Sequence, residues 1–274
     1  HCNWRVGGPA DLFLTVRDTD ELVRAAQLAR KNQQKITILG FGANVLVSDR
    51  GIRGLVVQNR SLGIDFLESP IIAVDSGTNL AVLAKQAAKQ GVGGLEFLIG
   101  IPGTVGAAVA VNAGTRTKWM SSLVEEVKVL DKHGTVRRLK PQELSFSYRS
   151  SILKQSGDIV LTARLKGTPD STRNIERKLR QELHVRTTQP TGPSAGSVFT
   201  NPPNDFAGRL IEACGLKGFR IGDAIVSDIH ANFILNMGAA KAVEIKAVID
   251  RVKSQVAETF NIELKEEIRY LGEW

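Results

Sequence analysis

Residues 91–114 read GVGGLEFLIGIPGTVGAAVAVNAG, and this stretch decides how the fold is interpreted. It is dense in glycine, contains one proline, Pro102, and carries hardly any charge apart from Glu96. Its glycines let the main chain turn where other residues are excluded and bring backbone N–H groups close to a large ligand. Consecutive exposed N–H groups form anion-binding concavities, to which Thr104 and Asn112 can add hydrogen bonds. The stretch predicts a polyanion-binding loop; a packed turn without a ligand is the alternative.

The segments around this loop predict a unit of mixed helix and strand. Before the loop, residues 71–74 form a strand, Thr78 caps a helix and Gly91 ends that helix. After the loop, residues 124–130 and 136–139 alternate around a Lys-His-Gly turn and predict a hairpin.

The N-terminal 60 residues predict a second mixed unit. An alternating run at residues 12–16 indicates a strand, Asp18 begins a helix, and a strand at residues 36–39 leads into the turn 40–44, GFGAN. A dinucleotide-fold interpretation of this turn fails, because the third glycine and the downstream acidic residue are absent. A phosphate-binding turn and a plain hairpin both remain open.

The remaining segments are assigned from composition and periodicity. A Pro/Gly/Ser cluster at residues 189–203 predicts a domain boundary or a binding loop. The alternation in residues 264–272 puts Glu267 on the solvent side of a strand. We further expect a polar strand at 146–151 with Arg149 at the surface, charged and short helices at 171–188 and 207–214, a buried strand at 231–236 and an amphipathic helix at 240–260.

The composition is that of a soluble globular protein whose positive charge favours anionic partners, with an ordinary basic surface as the alternative. The 274 residues carry a net charge of +8, yet aromatic content is 5% and the basic residues are dispersed, so small phosphorylated ligands fit better than nucleic acid. No apolar run could span a bilayer, and no signal peptide is visible. The two cysteines, Cys2 and Cys214, favour a reducing cytoplasm, and the four scattered histidines predict no metal site.

Taken together, eight segments in order resemble the UDP-N-acetylenolpyruvoylglucosamine reductases, the MurB family, in its shorter type. The match covers nearly the whole chain, although Ala43, Ala107 and Thr200 depart from the usual pattern. The segments are residues 3–10 (NWRVGGPA), 40–46 (GFGANVL), 94–114, 147–150 (SYRS), 195–202 (AGSVFTNP), 207–218 (AGRLIEACGLKG), 230–236 (HANFILN) and 264–272 (LKEEIRYLG).

The resemblance implies an α+β fold: a two-subdomain FAD-binding domain of the PCMH or vanillyl-alcohol-oxidase type, followed by a C-terminal α+β substrate domain. The expected boundaries are residues 1–170, with subdomains of about 1–60 and 61–170, and residues 171–274. The last strand, about 263–272, is a candidate to return to the first subdomain. The implied reaction is reduction of the enolpyruvyl ether of UDP-N-acetylglucosamine to UDP-N-acetylmuramate by NADPH through FAD, in peptidoglycan synthesis.

The resemblance also implies site residues. The matched catalytic positions are Arg149 and Glu267, which stabilise the enolate formed beside the substrate carboxylate, and Ser197, which donates a proton to that carbon. Glu267 is expected to be protonated by burial so that it donates. The matched substrate positions are Tyr148, Asn201 and Lys217. The matched FAD positions are Gly40, Phe41, Gly42, Ala43, Asn44, Gly100, Ile101, Pro102, Gly103, Thr104, Gly106, Asn112, Ala113 and Gly114.

Two other functions remain open at this point. One is a flavoprotein oxidase of the same fold that acts on a different donor. The other is a basic module that binds anions or nucleic acid, which rests on the net charge alone. We expect a monomer or weak oligomer with UDP-sugar and NADPH as its small-molecule partners, and neither nucleic acid nor membrane.

Overall fold

The computed structural model describes residues 1–274 and contains 15 strands and six α-helices. The helices are α1 (Thr19–Lys31), α2 (Leu80–Lys89), α3 (Val105–Ala110), α4 (Thr172–Thr187), α5 (Ala207–Ala213) and α6 (Ala242–Phe260). The strands are β1 (Ala10–Val16), β2 (Ile36–Leu39), β3 (Val45–Val47), β4 (Ile52–Asn59), β5 (Ile64–Phe66), β6 (Ile71–Asp75), β7 (Val92–Gly93), β8 (Val124–Leu130), β9 (Val136–Leu139), β10 (Ile159–Lys166), β11 (Thr168–Pro169), β12 (Arg220–Ile221), β13 (Ala224–Val226), β14 (Ile234–Asn236) and β15 (Arg269–Leu271).

The chain forms two compact units, and each is interleaved along the sequence. One consists of His1–Leu12, Phe41–Arg53 and Thr188–Trp274, and the other of Phe13–Gly40 and Gly54–Thr187. We call them the C-terminal unit and the central unit. The boundary predicted near residue 170 stays a prediction.

The central unit is built on a five-stranded antiparallel sheet of order β5-β6-β10-β8-β9. Strand β10 lies in the middle and pairs with β6 on one side and β8 on the other. Helices α2 and α3 supply apolar side chains to the core beside this sheet, including Leu83 and Val109, which are fully buried. The β8–β9 hairpin predicted from the alternation is confirmed.

The helix starts of the central unit show where local sequence signals succeed and fail. Asp18 caps α1 as predicted, because its carboxylate accepts a hydrogen bond from the backbone of Glu21 at 2.7 Å. The predicted cap Thr78 is wrong. Asn79 caps α2 instead, and its Oδ1 accepts from the backbone N–H groups of Ala81 and Val82.

The C-terminal unit packs the long helix α6 on the antiparallel sheet β12-β13-β14. The apolar side of α6, which includes Ile245, Val248 and Val252, is buried. Its N-terminus is held by Asp49, whose two carboxylate oxygens accept from the backbone of Ala242 at 2.9 Å and Val243 at 3.1 Å. This contact fastens the loop after β3 to the helix.

A second contact in the same unit pairs the last strand of the chain with an early one. Strand β15 pairs in parallel with β3, and Tyr270 lies opposite Leu46. The turn 40–44 enters β3, so the segment that carries Glu267 runs beside that turn.

Three predicted strands are shorter or absent. Residues 146–151 form a tight turn closed by a bridge between Ser147 and Ser150. Only Ile234–Asn236 and Arg269–Leu271 form regular strands within 231–236 and 264–272. Both extended runs instead join the Ser197 segment through isolated bridges, which a single-segment pattern does not reveal. None of the helices combines the length and apolarity needed to cross a membrane.

Candidate active site

The first glycine turn is shaped by the N-terminal segment that crosses it. Gly42 has a φ of +64° and accepts a hydrogen bond from the backbone of Asn3 at 3.0 Å. A Cβ at Gly42 would lie 2.2 Å from the carbonyl oxygen of His1. Only glycine therefore fits there.

Asn44, at the end of this turn, is fastened to the segment of Glu267. Its side-chain Nδ2 donates to the carbonyl oxygen of Glu267 at 3.1 Å. Its own carbonyl oxygen accepts from the backbone of Arg269 at 3.0 Å. Glu267 is partly buried rather than solvated, which corrects the exposure predicted from strand alternation.

In the central unit, Gly40 approaches the second glycine loop. A Cβ on Gly40 would lie 2.7 Å from Oγ1 of Thr104, so any side chain at residue 40 would force Thr104 to shift. Thr104 in turn caps α3 by accepting from the backbone of Ala107. Gly103 has a φ of +142°, and a Cβ there would meet nothing within 4 Å. The loop thus presents backbone to open space at Gly103, beside Gly40.

The glycine at 106 is explained by packing inside the protein. Its N–H donates to the carbonyl oxygen of Ser76 at 2.8 Å, and a Cβ would lie 2.8 Å from the Ser76 Cβ. The N–H of Val105 is likewise used, by Thr78. The backbone N–H groups of Val105 and Gly106 are therefore engaged within the protein, and the contact of Gly106 with FAD stays a prediction. Burial also raises the pKa of Asp75, which precedes Ser76.

Glu96, the charged residue of residues 91–114, is buried and fastens the loop to α4. Its side chain is 2% exposed, and Oε2 accepts from the backbone of Gly94 at 2.9 Å. Ammonium groups of Lys118 and Lys178 lie 3.6 and 3.8 Å from its carboxylate. Lys178 also donates to Asp170, and together with a hydrogen bond from Asn174 it lowers the pKa of that carboxyl to about 2.

Arg149 lies in the tight turn at residues 147–150 and contacts the end of the glycine-rich stretch. Its Nη1 donates to the carbonyl oxygen of Gly114 at 2.9 Å. Asn112, which is buried, holds the same turn by donating from Nδ2 to the Ser147 carbonyl at 2.9 Å. The Arg149 Cζ lies 5.7 Å from the ring centre of Tyr148, which is 51% exposed. The structure thereby brings 112–114, Tyr148 and Arg149 together in the central unit.

Ser197 and Glu267 lie on neighbouring strand-like segments of the C-terminal unit. The N–H of Glu267 donates to the carbonyl oxygen of Val198 at 2.8 Å, and Phe199 pairs with Glu266 in an antiparallel bridge. On the other side, Ser197 forms an antiparallel bridge with Phe233. The segment of Ser197 is therefore the middle of a three-segment ladder.

The buried amide of Asn232 belongs to this ladder and was missed from the sequence. Its Oδ1 accepts from the N–H of Phe199 at 2.9 Å, and its Nδ2 donates to the Phe199 carbonyl at 2.8 Å. The available signal was an amide inside the apolar run 231–236, since a buried polar group requires partners.

The predicted substrate positions Asn201 and Lys217 also lie in the C-terminal unit. Asn201 Oδ1 accepts from the backbone of Ala207 at 3.1 Å, at the start of α5. The Lys217 ammonium forms an ion pair with Glu212 at 2.7 Å. Glu212 was not predicted, and it gives Lys217 an anionic partner within the protein.

The two glycine turns pass a physical test for a nucleotide cofactor. They have no room for side chains at Gly40 and Gly42, and the backbone at Gly103 faces open space. Such turns bring N–H groups to phosphate without side-chain obstruction. The residues present fit FAD.

Comparison with known proteins assigns the family. The model of an FAD-binding domain matches residues 10–140, and the model of the C-terminal domain of UDP-N-acetylenolpyruvoylglucosamine reductase matches residues 188–271. The UDP-N-acetylenolpyruvoylglucosamine reductase of Moorella thermoacetica is 46% identical over 100% of this chain and 91% of its own length. The chain belongs to the UDP-N-acetylenolpyruvoylglucosamine reductase family.

Other members of the reductase family agree over the full length. A reductase from Symbiobacterium thermophilum is 43% identical over 99% of this chain and 89% of its own. The crystal structure of the reductase from Thermus caldophilus superposes with a TM-score of 0.85 at 38% identity, covering 98% of this chain and 95% of that one. The family, the FAD-binding domain and the α+β fold class predicted from the sequence are thus confirmed.

Proposed function

We propose that this protein is an FAD-dependent reductase that uses NADPH to convert UDP-N-acetylglucosamine enolpyruvate into UDP-N-acetylmuramate for peptidoglycan precursor synthesis. The observation that carries the proposal is the full-length match to reductases of that name, at 46% identity. The geometry adds support, because the glycine turns fit a dinucleotide, Glu267 accepts a hydrogen bond from Asn44 of the first turn, and Arg149 donates to Gly114 at the end of the glycine-rich stretch.

FAD is proposed to bind through its diphosphate and ribityl groups at residues 40–44, 100–106 and 112–114. When bound, FAD supplies hydride transfer from NADPH to the methylene carbon of the enolpyruvyl group. Within the central unit, the approach of Gly40 to Thr104 supports a contribution of both residues to binding the same elongated group. Gly106 and Asn112 support these segments through hydrogen bonds within the protein.

Arg149 and Glu267 are proposed to stabilise negative charge on the substrate. Hydride addition leaves charge on the carbon beside the carboxylate, and a cation and a hydrogen-bond donor lower the energy of that enolate. The hydrogen bond from Arg149 to Gly114 favours a fixed guanidinium, which loses less entropy on binding a carboxylate than a mobile one. Glu267 is proposed to act in its protonated form, which would place a hydrogen-bond donor rather than a second negative charge beside the enolate.

Ser197 is proposed to donate the proton that completes the reduction. A hydroxyl is a weak acid, but an enolate carbon is basic enough to accept its proton when the hydroxyl is well placed. The backbone pairing on both sides of Ser197 supports a fixed position for its hydroxyl. The proton passes from Oγ to carbon, and Oγ regains one from solvent.

Lys217, Asn201 and Tyr148 are proposed to bind the UDP-sugar. The ammonium of Lys217 suits a diphosphate as a point charge. Its ion pair with Glu212 is partly exposed, so screening by solvent lets a diphosphate compete for it. Tyr148 is exposed enough to offer its ring to a ligand.

We further propose that the enzyme works in the cytoplasm as a monomer or weak oligomer. Both cysteines are unpaired, which is typical of a reducing compartment. Sedimentation at working concentration tests the oligomeric state, and a stable large assembly would contradict it.

The test of the function is NADPH consumption by the purified protein. We expect bound-flavin absorbance near neutral pH and rapid NADPH oxidation only when the UDP-enolpyruvyl sugar is added. Protein without flavin absorbance would contradict the proposal. Equal rates with oxygen alone would instead favour an oxidase that uses another donor.

A further inference from the structure

We propose that Asn232 is a positioning residue for the proposed proton donor Ser197, and that its buried amide holds the backbone that sets the Ser197 hydroxyl. This inference rests on the proposed function. The amide makes a two-point contact with one residue: Oδ1 accepts from the Phe199 N–H at 2.9 Å and Nδ2 donates to the Phe199 carbonyl at 2.8 Å. Asn232 is 4% exposed, so water does not replace these bonds.

The contact substitutes for ladder hydrogen bonds where regular strand pairing is interrupted. The main chain of Asn232 already accepts from the Val198 N–H at 2.9 Å, and Ser197 pairs with Phe233 in an isolated bridge. The side chain and main chain of Asn232 therefore hydrogen-bond to Phe199 and Val198, the two residues that follow Ser197. Because both the N–H and the carbonyl of Phe199 are bonded, its backbone has little freedom to rotate about its axis.

Asn232 is itself held in place from its own segment. Its N–H donates to Nδ1 of His230 at 3.2 Å. The His230 ring packs on Phe233 with ring centres 5.0 Å apart. The segment that supplies the Asn232 amide is thus held by its own contacts, independently of the Ser197 segment.

The proposed role predicts different effects on the two half-reactions, flavin reduction by NADPH and sugar reduction by the reduced flavin. Loss of the Asn232 hydrogen bonds moves the Ser197 hydroxyl, and displacement by ~1 Å costs about 100-fold in the rate of sugar reduction. Reduction of the bound flavin by NADPH does not use the Ser197 proton and is spared. A purely structural role would lower both halves alike.

The first experiment compares Asn232→Leu with wild type. We expect sugar reduction by the NADPH-reduced enzyme to fall about 100-fold and flavin reduction by NADPH to change less than about 3-fold. Hydrogen exchange of the cofactor-free protein provides a readout apart from activity: the Phe199 amide should lose protection. Equal losses in both halves, or unchanged exchange at Phe199, would overturn the proposal.

Asn232→Asp keeps the proposal testable if the leucine variant fails to fold. A protonated aspartic acid reproduces both hydrogen bonds, whereas the carboxylate faces the Phe199 carbonyl without a proton to donate. We expect the variant to reduce the sugar at low pH and to lose this activity as the pH rises. The loss between low and high pH should be at least about 10-fold larger than the corresponding change in wild type. A pH profile parallel to that of wild type would contradict the role.

Asn236→Asp is the matched control. Asn236 lies on the same segment, is also 4% exposed, and makes equivalent side-chain bonds to the backbone of Trp4, Gly238 and Ala240. Its variant should lose stability without changing the ratio of the two half-reactions. A wild-type protein that does not reduce the sugar would refute the proposed function. A selective loss in Asn236→Asp equal to that in Asn232→Asp would refute only the present inference.

Discussion

The side-chain amide of Asn44 donates a hydrogen bond to the main-chain carbonyl of Glu267, with Nδ2 and O separated by 3.1 Å. Asn44 ends a turn proposed to cradle FAD, and Glu267 is proposed to stabilise the substrate enolate. The hydrogen bond therefore joins cofactor binding to placement of the carboxyl group through a single side chain. The parallel pairing of β15 with β3 extends this link along the chain.

Replacing Asn44 by alanine should loosen the Glu267 segment. The N–H···O=C bond to residue 267 is lost while the backbone bond from Arg269 remains, so we expect a drop of roughly 10- to 100-fold in sugar reduction. Stopped-flow measurement of that half-reaction and hydrogen exchange at the Glu267 amide check the prediction. Asn261→Gly, at the exposed left-handed cap of α6, should change neither. Unchanged exchange at Glu267 would count against the link.

Replacing Gly40 by alanine should weaken FAD binding. The new Cβ would lie 2.7 Å from Oγ1 of Thr104, and relieving such overpacking costs ~1–3 kcal/mol, where ~1.4 kcal/mol is tenfold in Kd. We expect Gly40→Ala to raise the FAD Kd about 10-fold in a fluorescence titration. Thr104→Ala, which removes the clashing atoms, should partly restore binding in the double variant. Strictly additive losses would show that residues 40 and 104 do not act together in FAD binding.

Glu267 is predicted to act by donating a hydrogen bond, and three substitutions separate this role from charge. Glutamine keeps a hydrogen-bond donor at nearly the same position, whereas alanine removes the donor. Aspartate has a side chain one methylene shorter, so its carboxyl group lies farther from the substrate. Since loss of one such donor costs ~100- to 1,000-fold in kcat, we expect Glu267→Ala and Glu267→Asp to lose that much. Glu267→Gln should lose about 10-fold at most. Steady-state kcat values that are the same for all three would leave Glu267 without a donor role.

Much of the fold was predictable because local signals coincide with tertiary structure. Asp18 caps α1, the 136–139 strand closes the hairpin with β8, and Gly91 follows the end of α2, each as the sequence indicates. The family resemblance rests on motifs that the comparisons confirm over the full chain.

The features that escaped prediction are the ones decided by distant segments. Alternation alone put Glu267 in solvent, but pairing with Val198 and the Asn44 amide partly bury that segment. The packing role of Gly106 also depends on a distant segment, because its N–H donates to the Ser76 carbonyl and a Cβ there would clash with Ser76, while its predicted contact with FAD stays a prediction. The role of Asn232 required knowing which backbone lies beside it.

The central claim is that Ser197 serves proton transfer and is not needed for hydride transfer from NADPH. The most direct test reduces the enzyme with NADPH in the absence of oxygen and then mixes it with the UDP-enolpyruvyl sugar. Wild type should reoxidise rapidly and yield UDP-N-acetylmuramate in an amount equal to the NADPH consumed. Ser197→Ala should accept electrons from NADPH at a near-normal rate but reduce the sugar about 100- to 10,000-fold more slowly, the range typical of a lost general acid. Ser254→Ala, on the exposed side of α6, is the control. A Ser197→Ala enzyme that reduces the sugar as fast as wild type would contradict the account.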